Sequence, residues 1–281
     1  MLQFRPVTEV IGTEVLGIDL SEPLSASIVD QLSEALMGAT FLLFRGQKMT
    51  PAQQIAFTRC FGEIVTYYDP TENPHPDHPE VMVLSNLNAE GKPSGKSTSA
   101  YLWHSDGHYL REPPLGSVLY GVEVPPEGGD TWFANMQAAY DALPQAMKDR
   151  LDGLTVIISR VQSRPYNFPN KPPVTPEQRA AWPDMPQPLV RAHPVSGRKA
   201  LYIGSNVPWR IAGMPDEESA PLITELQAFS VRPEFTYRHE WRVGDAILWD
   251  NAISMHKATP FDVANHRRVM HRTTISGGVP F

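Results

Sequence analysis

Twenty-eight of the 281 residues are proline, about twice the roughly 5% of average usage. Proline removes a backbone donor and breaks helix interiors, yet it sits easily in turns, edge strands and long connections. This argues against a helix bundle, and a β framework with long loops is expected. With 41% apolar and 20% charged residues the chain can bury a proper core, as one large domain or two small ones. No linker or repeat divides it, so residues 1–281 are expected to form a single domain.

The formal net charge of −7 leaves no basic excess for a nucleic-acid face. A single cysteine, Cys60, excludes an intrachain disulfide and fits a reducing cytoplasm. In the run IAFTRCFG it reads as a buried thiol. The start MLQFRPVTEVIG lacks a signal-peptide layout. No stretch reaches the roughly 18 apolar residues of a membrane span. A cytoplasmic protein acting on small molecules, without membrane or nucleic-acid partners, is the expectation.

Along the chain, Ile28, Leu32 and Leu36 recur at helical spacing, and TFLLFRG reads as a short buried strand ending at Gly46. Thr50-Pro51 is an N-cap and first-turn pair for a helix ending near Gly62. Strands are expected at 81–87, 115–124 and 130–133, the last after a turn at Gly128-Gly129. Residues 91–98 form a polar loop. Two short helices follow, broken at Pro144 and stopped near Gly153. Residues 164–188 hold eight prolines and little periodicity, which suggests a lid loop. A helix fits 216–229, with Leu222, Leu226 and Phe229 on one face. Phe235, Tyr237 and Trp241 mark one strand, and Gly244-Asp245 turns into AILWDN. Short strands with helices outside them suggest a sandwich or jelly roll.

Two motifs carry chemistry. In Trp103-His104-Ser105-Asp106, a strand would place His104 and Asp106 on one face, able to chelate one metal together. Far downstream come Trp249-Asp250-Asn251, then His256, then the basic run Arg267-Arg268-Val269-Met270-His271-Arg272. Two histidines and a carboxylate form the facial triad of non-haem iron(II) oxygenases. The same donor set also suits zinc hydrolysis, and a non-catalytic jelly-roll binding protein is a third reading. If RRVMHRTT is a strand, Arg268, Met270, Arg272 and Thr274 share one face, the two arginines roughly 13 Å apart at about 3.3 Å per residue. Two inward arginines need anionic partners, which a hydrolase does not require.

WHSD, PPEGGDT, WDN-x4-H and RRVMHR together resemble the taurine/2,4-dichlorophenoxyacetate dioxygenase family. The likeness spans nearly the whole chain, through IGTEVLGIDLSEPL, FRGQ, FGE, HPVSGRKALY and IAGMPDEES. The resemblance implies a mostly β fold with added helices, a double-stranded β-helix. It implies that His104, Asp106 and His256 bind Fe(II), and that 2-oxoglutarate chelates the iron while its far carboxylate meets Arg268 and Thr131. With O2, these would hydroxylate a small organic substrate and release succinate and CO2. Arg272 is then the substrate-facing residue, its fork suited to a carboxylate or sulfonate, so an anionic substrate is expected. Tyr68, Tyr101, Phe168 and Trp209 fall in loops that shape the pocket in this family. Members are commonly dimers or tetramers, so a homo-oligomer is implied.

Other residues invite roles but read as structural. His108 is a pocket or surface histidine, not a third imidazole ligand. His75 and His78 lie in a proline-rich loop, His193 is structural or supports the site, and His239 sits in an alternating strand. Trp249 is expected to pack beside the metal site. Ser105 stands where the family usually has threonine, facing away from the metal.

Overall fold

A computed structural model of the protein describes residues 2–66, 73–87, 98–167, 172–205 and 209–281. Its spine is an eight-stranded sheet in the order β1 (Gln3–Pro6), β2 (Thr13–Leu16), β3 (Phe41–Phe44), β14 (Ala246–Asp250), β6 (Gly116–Glu123), β16 (Val269–Ile275), β5 (His78–Ser85), β4 (Pro74–His75). A three-stranded sheet, β13 (Thr236–His239), β7 (Thr131–Asn135), β15 (Ser254–Ala258), packs on its inner face. Phe41 of the large sheet meets Phe133 of the small one at 4.9 Å between ring centroids, and Tyr237 at 5.7 Å.

Strand alternation assigns the two faces. Phe41, Leu43, Leu119, Ile247, Trp249 and Met270 point inward to Phe133. Leu42, Phe44, Val118, Tyr120, Ala246 and Leu248 point outward, under α1 (Ala26–Ala39) and α2 (Pro51–Arg59). Ser25 caps α1, and Thr50 with Gln53 closes a full capping box on α2, satisfying donors the helix would otherwise orphan. Gln54 of α2 reaches His271 O, Val118 O and Thr273 Oγ1, and Thr58 bonds Thr273. These contacts pin α2 across β6 and β16.

The outer side of the small sheet meets a second core under α3 (Met136–Asp141), α4 (Gln145–Leu151) and α7 (Asp216–Ser230). Leu222 and Leu226 of α7 are buried there, with Phe229 against them. Alongside lie a three-stranded sheet, β12 (Trp209–Ile211), β8 (Thr155–Ile158), β9 (Met185–Pro188), and a pair, β10 (Val190–Ala192) with β11 (Lys199–Leu201). Among the described residues no helix is long and apolar enough to cross a membrane.

Several expectations are corrected. The proline-rich stretch is not a plain loop: α5 (Arg160–Asn167) runs into it through Pro165, α6 (Pro176–Ala181) follows, and β9 pairs with β8. Pro176 sits at the first turn of α6 and Pro186 and Pro188 on the edge strand β9, where a missing donor costs little. The strand of Tyr237 is only four residues long. Phe235 belongs to a 3-10 turn before it and Trp241 lies beyond it. Cys60 caps the end of α2 and is half-buried, not enclosed. Residues 91–97 of the expected polar loop lie outside the described residues.

Candidate active site

His256 lies on β15 opposite Phe133 of β7, so its ring turns into the space between the sheets. His104 joins it through an isolated bridge: its N–H donates to His256 O at 3.0 Å, and its carbonyl oxygen accepts from His256 N–H at 2.8 Å. The two rings stand 4.4 Å apart. Asp106 is not on a strand, as the i, i+2 argument assumed; it opens a turn just after the bridge. What brings it back is the side chain of Asn251, which accepts from Asp106 N (2.8 Å) and donates to Asp106 O (2.9 Å).

The ligand atoms of His104, Asp106 and His256 lie within 4.8 Å of one another. Both Nε2 atoms stand 3.9 Å from the same oxygen, Asp106 Oδ1. His104 Nδ1 is 2.7 Å from Leu102 O; a carbonyl only accepts, so the proton sits on Nδ1 and the Nε2 lone pair faces inward. Burial pushes His256 down to about 3, with His104 and Arg272 adding to it, which leaves the ring neutral and able to ligate. Burial works against the charge of Asp106, but the Arg272 guanidinium foremost outweighs it and holds the carboxyl at about 2. The side chains keep 12–17% exposure, so one side stays open to ligands. Two imidazoles and one carboxylate on a common point fit an iron(II) ion with open positions.

Arg268 stands just before β16, where a register shift between Val269 and Met270 breaks the alternation expected to carry it onto one face with Arg272. Its Nε donates to Gly129 O at 2.8 Å, leaving the two terminal nitrogens for another acceptor. Gly129 has φ +67°, and a Cβ there would meet Arg268 Cδ at 3.0 Å, so this glycine makes room for the arginine stem. Burial lowers Arg268 to about 10, with Tyr101 and Asp130 opposing; it remains a cation near neutral pH. Two residues beyond Gly129, Thr131 Oγ1 accepts from Trp241 Nε1 at 3.0 Å, so the hydroxyl proton is free to donate.

Arg272 lies inward as expected, with Nη1 on both oxygens of Asp106 at 3.3 and 3.2 Å and Nη2 against Met82 Sδ at 3.3 Å. Its Nε is buried without a partner. Thr66, Pro74, Met82 and Thr274 line a shallow cavity beside it. Trp249 packs beside His256 at 5.1 Å. Trp209 is buried in the helical-side core and stacks on His108 at 5.5 Å. Tyr68 and Phe168 lie outside the described residues.

His108 is no ligand. Its Nδ1 faces Ser105 O at 2.9 Å and burial depresses it to about 4. His193 donates from Nε2 to Asp250 at 2.8 Å. His75 meets His271 edge-on at the sheet margin, and His239 contacts Asp245 at 3.1 Å. Three further residues shape the site: Asn251 and Asp250, which follow Trp249 in the WDN run, and Trp241, whose indole N–H occupies Thr131; no motif spacing marks their roles.

A family model for the taurine catabolism dioxygenase TauD, TfdA family matches residues 3–274. The chain is 34% identical to the alpha-ketoglutarate-dependent 2,4-dichlorophenoxyacetate dioxygenase of Cupriavidus pinatubonensis, over 98% of each protein. It is 32% identical to the alpha-ketoglutarate-dependent sulfate ester dioxygenase of Pseudomonas putida, over 99% of this chain and 91% of that one. The solved structure of AAD-2 in complex with Mn(II) and N-oxalylglycine superimposes with a TM-score of 0.84 at 31% identity, covering 100% of this chain and 99% of that chain.

Proposed function

This chain belongs to the taurine catabolism dioxygenase TauD, TfdA family and is a 2-oxoglutarate-dependent non-haem iron dioxygenase; from that premise we propose which residues do its work and on what. His104, Asp106 and His256 hold the iron(II), Arg268 and Thr131 hold the far carboxylate of 2-oxoglutarate, and Arg272 faces a small anionic substrate. Residues 1–281 act as one catalytic domain, and the two facing sheets are a double-stranded β-helix with the metal near one end. The observation that carries this reading is the convergence of His104 Nε2 and His256 Nε2 on Asp106 Oδ1.

Iron(II), when bound, couples the oxidative decarboxylation of 2-oxoglutarate by O2 to hydroxylation of the substrate, leaving succinate and CO2. The protein supplies position and charge. Arg268, tied at Nε to Gly129, offers its remaining nitrogens in a fixed fork that suits a carboxylate. Thr131 adds one hydroxyl proton, since Trp241 already occupies a lone pair on its oxygen. Asp106 stays ionised because Arg272 lies on it, and Arg272 keeps an uncommitted Nε beside the cavity walled by Thr66, Met82 and Thr274. A carboxylate, sulfonate or sulfate ester there would meet a cation whose partial burial strengthens the contact. The apolar side of the site, Trp249 and Phe133, shields the reacting end from water.

The test is a panel of aryloxyacetates, alkyl sulfates, sulfonates and neutral isosteres, scored by succinate released per product formed. Coupled turnover confined to the anions, and lost in Arg272→Ala, supports the assignment. Equal turnover of neutral isosteres contradicts the anionic class.

A further inference from the structure

We propose that Asn251 is a positioning residue of the metal centre, the clamp that brings Asp106 into register with the two histidines. This rests on the ligand assignment above. Asp106 sits in a turn, with no ladder partner to fix it, unlike His104 and His256, which are locked to each other through two backbone bonds. Asn251 replaces the missing ladder. Its Oδ1 accepts from Asp106 N, while Nδ2 donates to Asp106 O and, at 3.0 Å, to Pro114 O. Both amide hydrogens are thereby used, in a side chain that is 0% exposed.

No other side chain of similar size makes this pattern. Aspartate keeps the acceptor but sets a carboxylate against two carbonyl oxygens. Leucine leaves three buried backbone groups unsatisfied, each costly. Asn251 is itself held. Its N–H donates to Leu115 O, and the preceding Asp250 accepts from Ala252 N and His193 Nε2, which shapes the turn between β14 and β15. Five residues later that strand delivers His256. Ser105, the residue before Asp106, adds a bond from Oγ to Ser254 O at 2.7 Å on the same segment. One short stretch, 250–256, therefore supplies one ligand and sets the backbone of another.

The inference is tested by anaerobic calorimetry of Fe(II) binding to wild type, Asn251→Ala, Asn251→Asp and Leu32→Ala, with thermal unfolding of each metal-free protein. Leu32 is a core residue under α1, away from the site, and controls for lost stability alone. Asn251→Asp, nearly isosteric, carries the test if Asn251→Ala does not fold. The expected result is a Kd for Fe(II) raised roughly 10- to 100-fold in the Asn251 variants, the usual range for a lost partner behind a metal ligand, and unchanged in Leu32→Ala. Wild-type Kd in Asn251→Asp, or an equal loss in Leu32→Ala, overturns the proposal. If His104→Ala binds Fe(II) as tightly as wild type, the ligand assignment beneath it falls and the proposal with it.

Discussion

The two faces of the large sheet are built from the same strands to opposite ends. The outer face is an apolar layer of Leu42, Phe44, Val118 and Leu248 beneath α1 and α2, relieved by hydrogen-bonded groups such as Gln54, Thr58, Thr273 and the Tyr120 hydroxyl. The inner face begins in the same way, with Phe41 and Trp249, and then gives over to Arg272, with Arg268 just before its strand, facing Phe133 and His256 of the small sheet beside His104 and Asp106. There, buried polar atoms remain without partners, among them His256 Nδ1 and Arg272 Nε. One residue of offset along β16 separates Thr273, which bonds to Gln54 under the helices, from Arg272, which lies on Asp106. Strand alternation lets one chain hold both without compromise.

If this division is real, substitutions on the two faces separate turnover from stability. Asp106→Ala should cost more than the roughly 100-fold typical of a lost outer-shell partner. Turnover and Fe(II) binding fall to background, a loss that outstrips the fall in melting temperature from leaving Arg272 without its carboxylate; full activity would erase the distinction. Arg268→Ala removes a charged hydrogen-bonding partner, on the order of 2–3 kcal/mol. Initial rates should then give a KM for 2-oxoglutarate raised roughly 30- to 150-fold, with Fe(II) affinity unchanged. On the outer face, Leu32→Ala should lower stability by about 2–5 kcal/mol through cavity formation. Denaturant melts measure that loss, and turnover per folded molecule should not change.

The smallest effect concerns pH. His271, beside His75 at the sheet margin, is pushed down to about 4, by burial first and then by His75, from about 6.5 in an unfolded chain. Between those values the unfolded state binds the extra proton, so stability is full above about pH 6.5 and declines toward pH 4. His271→Asn should flatten that slope in melts taken from pH 7 to 4.5, and an unaltered slope would assign the loss to another group.

Much of this contrast was legible in the chain. The Thr50-Pro51 pair announced α2 because an N-cap works through local chemistry. WHSD and WDN-x4-H pointed to the clustered His104, Asp106 and His256 because the donor types a metal takes are restricted. The same Thr-Pro signal at Thr175-Pro176 opens α6 with a full capping box, but it was obscured by the prolines around it. Period-two alternation is local and places Asp106 on a strand, whereas the bonds that hold its turn come from Asn251, 145 residues downstream. The break at Val269/Met270 was hidden for the same reason: a bulge follows from what the neighbouring strand requires. Long-range hydrogen bonds were illegible; short-range caps and ligand chemistry were not.

The most direct test of the central claim is anaerobic titration of metal-free protein with Fe(II) and then 2-oxoglutarate, following the weak visible metal-to-ligand charge-transfer band. The expected result is a saturable band with one equivalent of each, absent in His104→Ala and weakened in Arg268→Ala. Fe(II) binding without any band, or a band indifferent to both substitutions, would contradict the assignment of the triad and of the cosubstrate arginine.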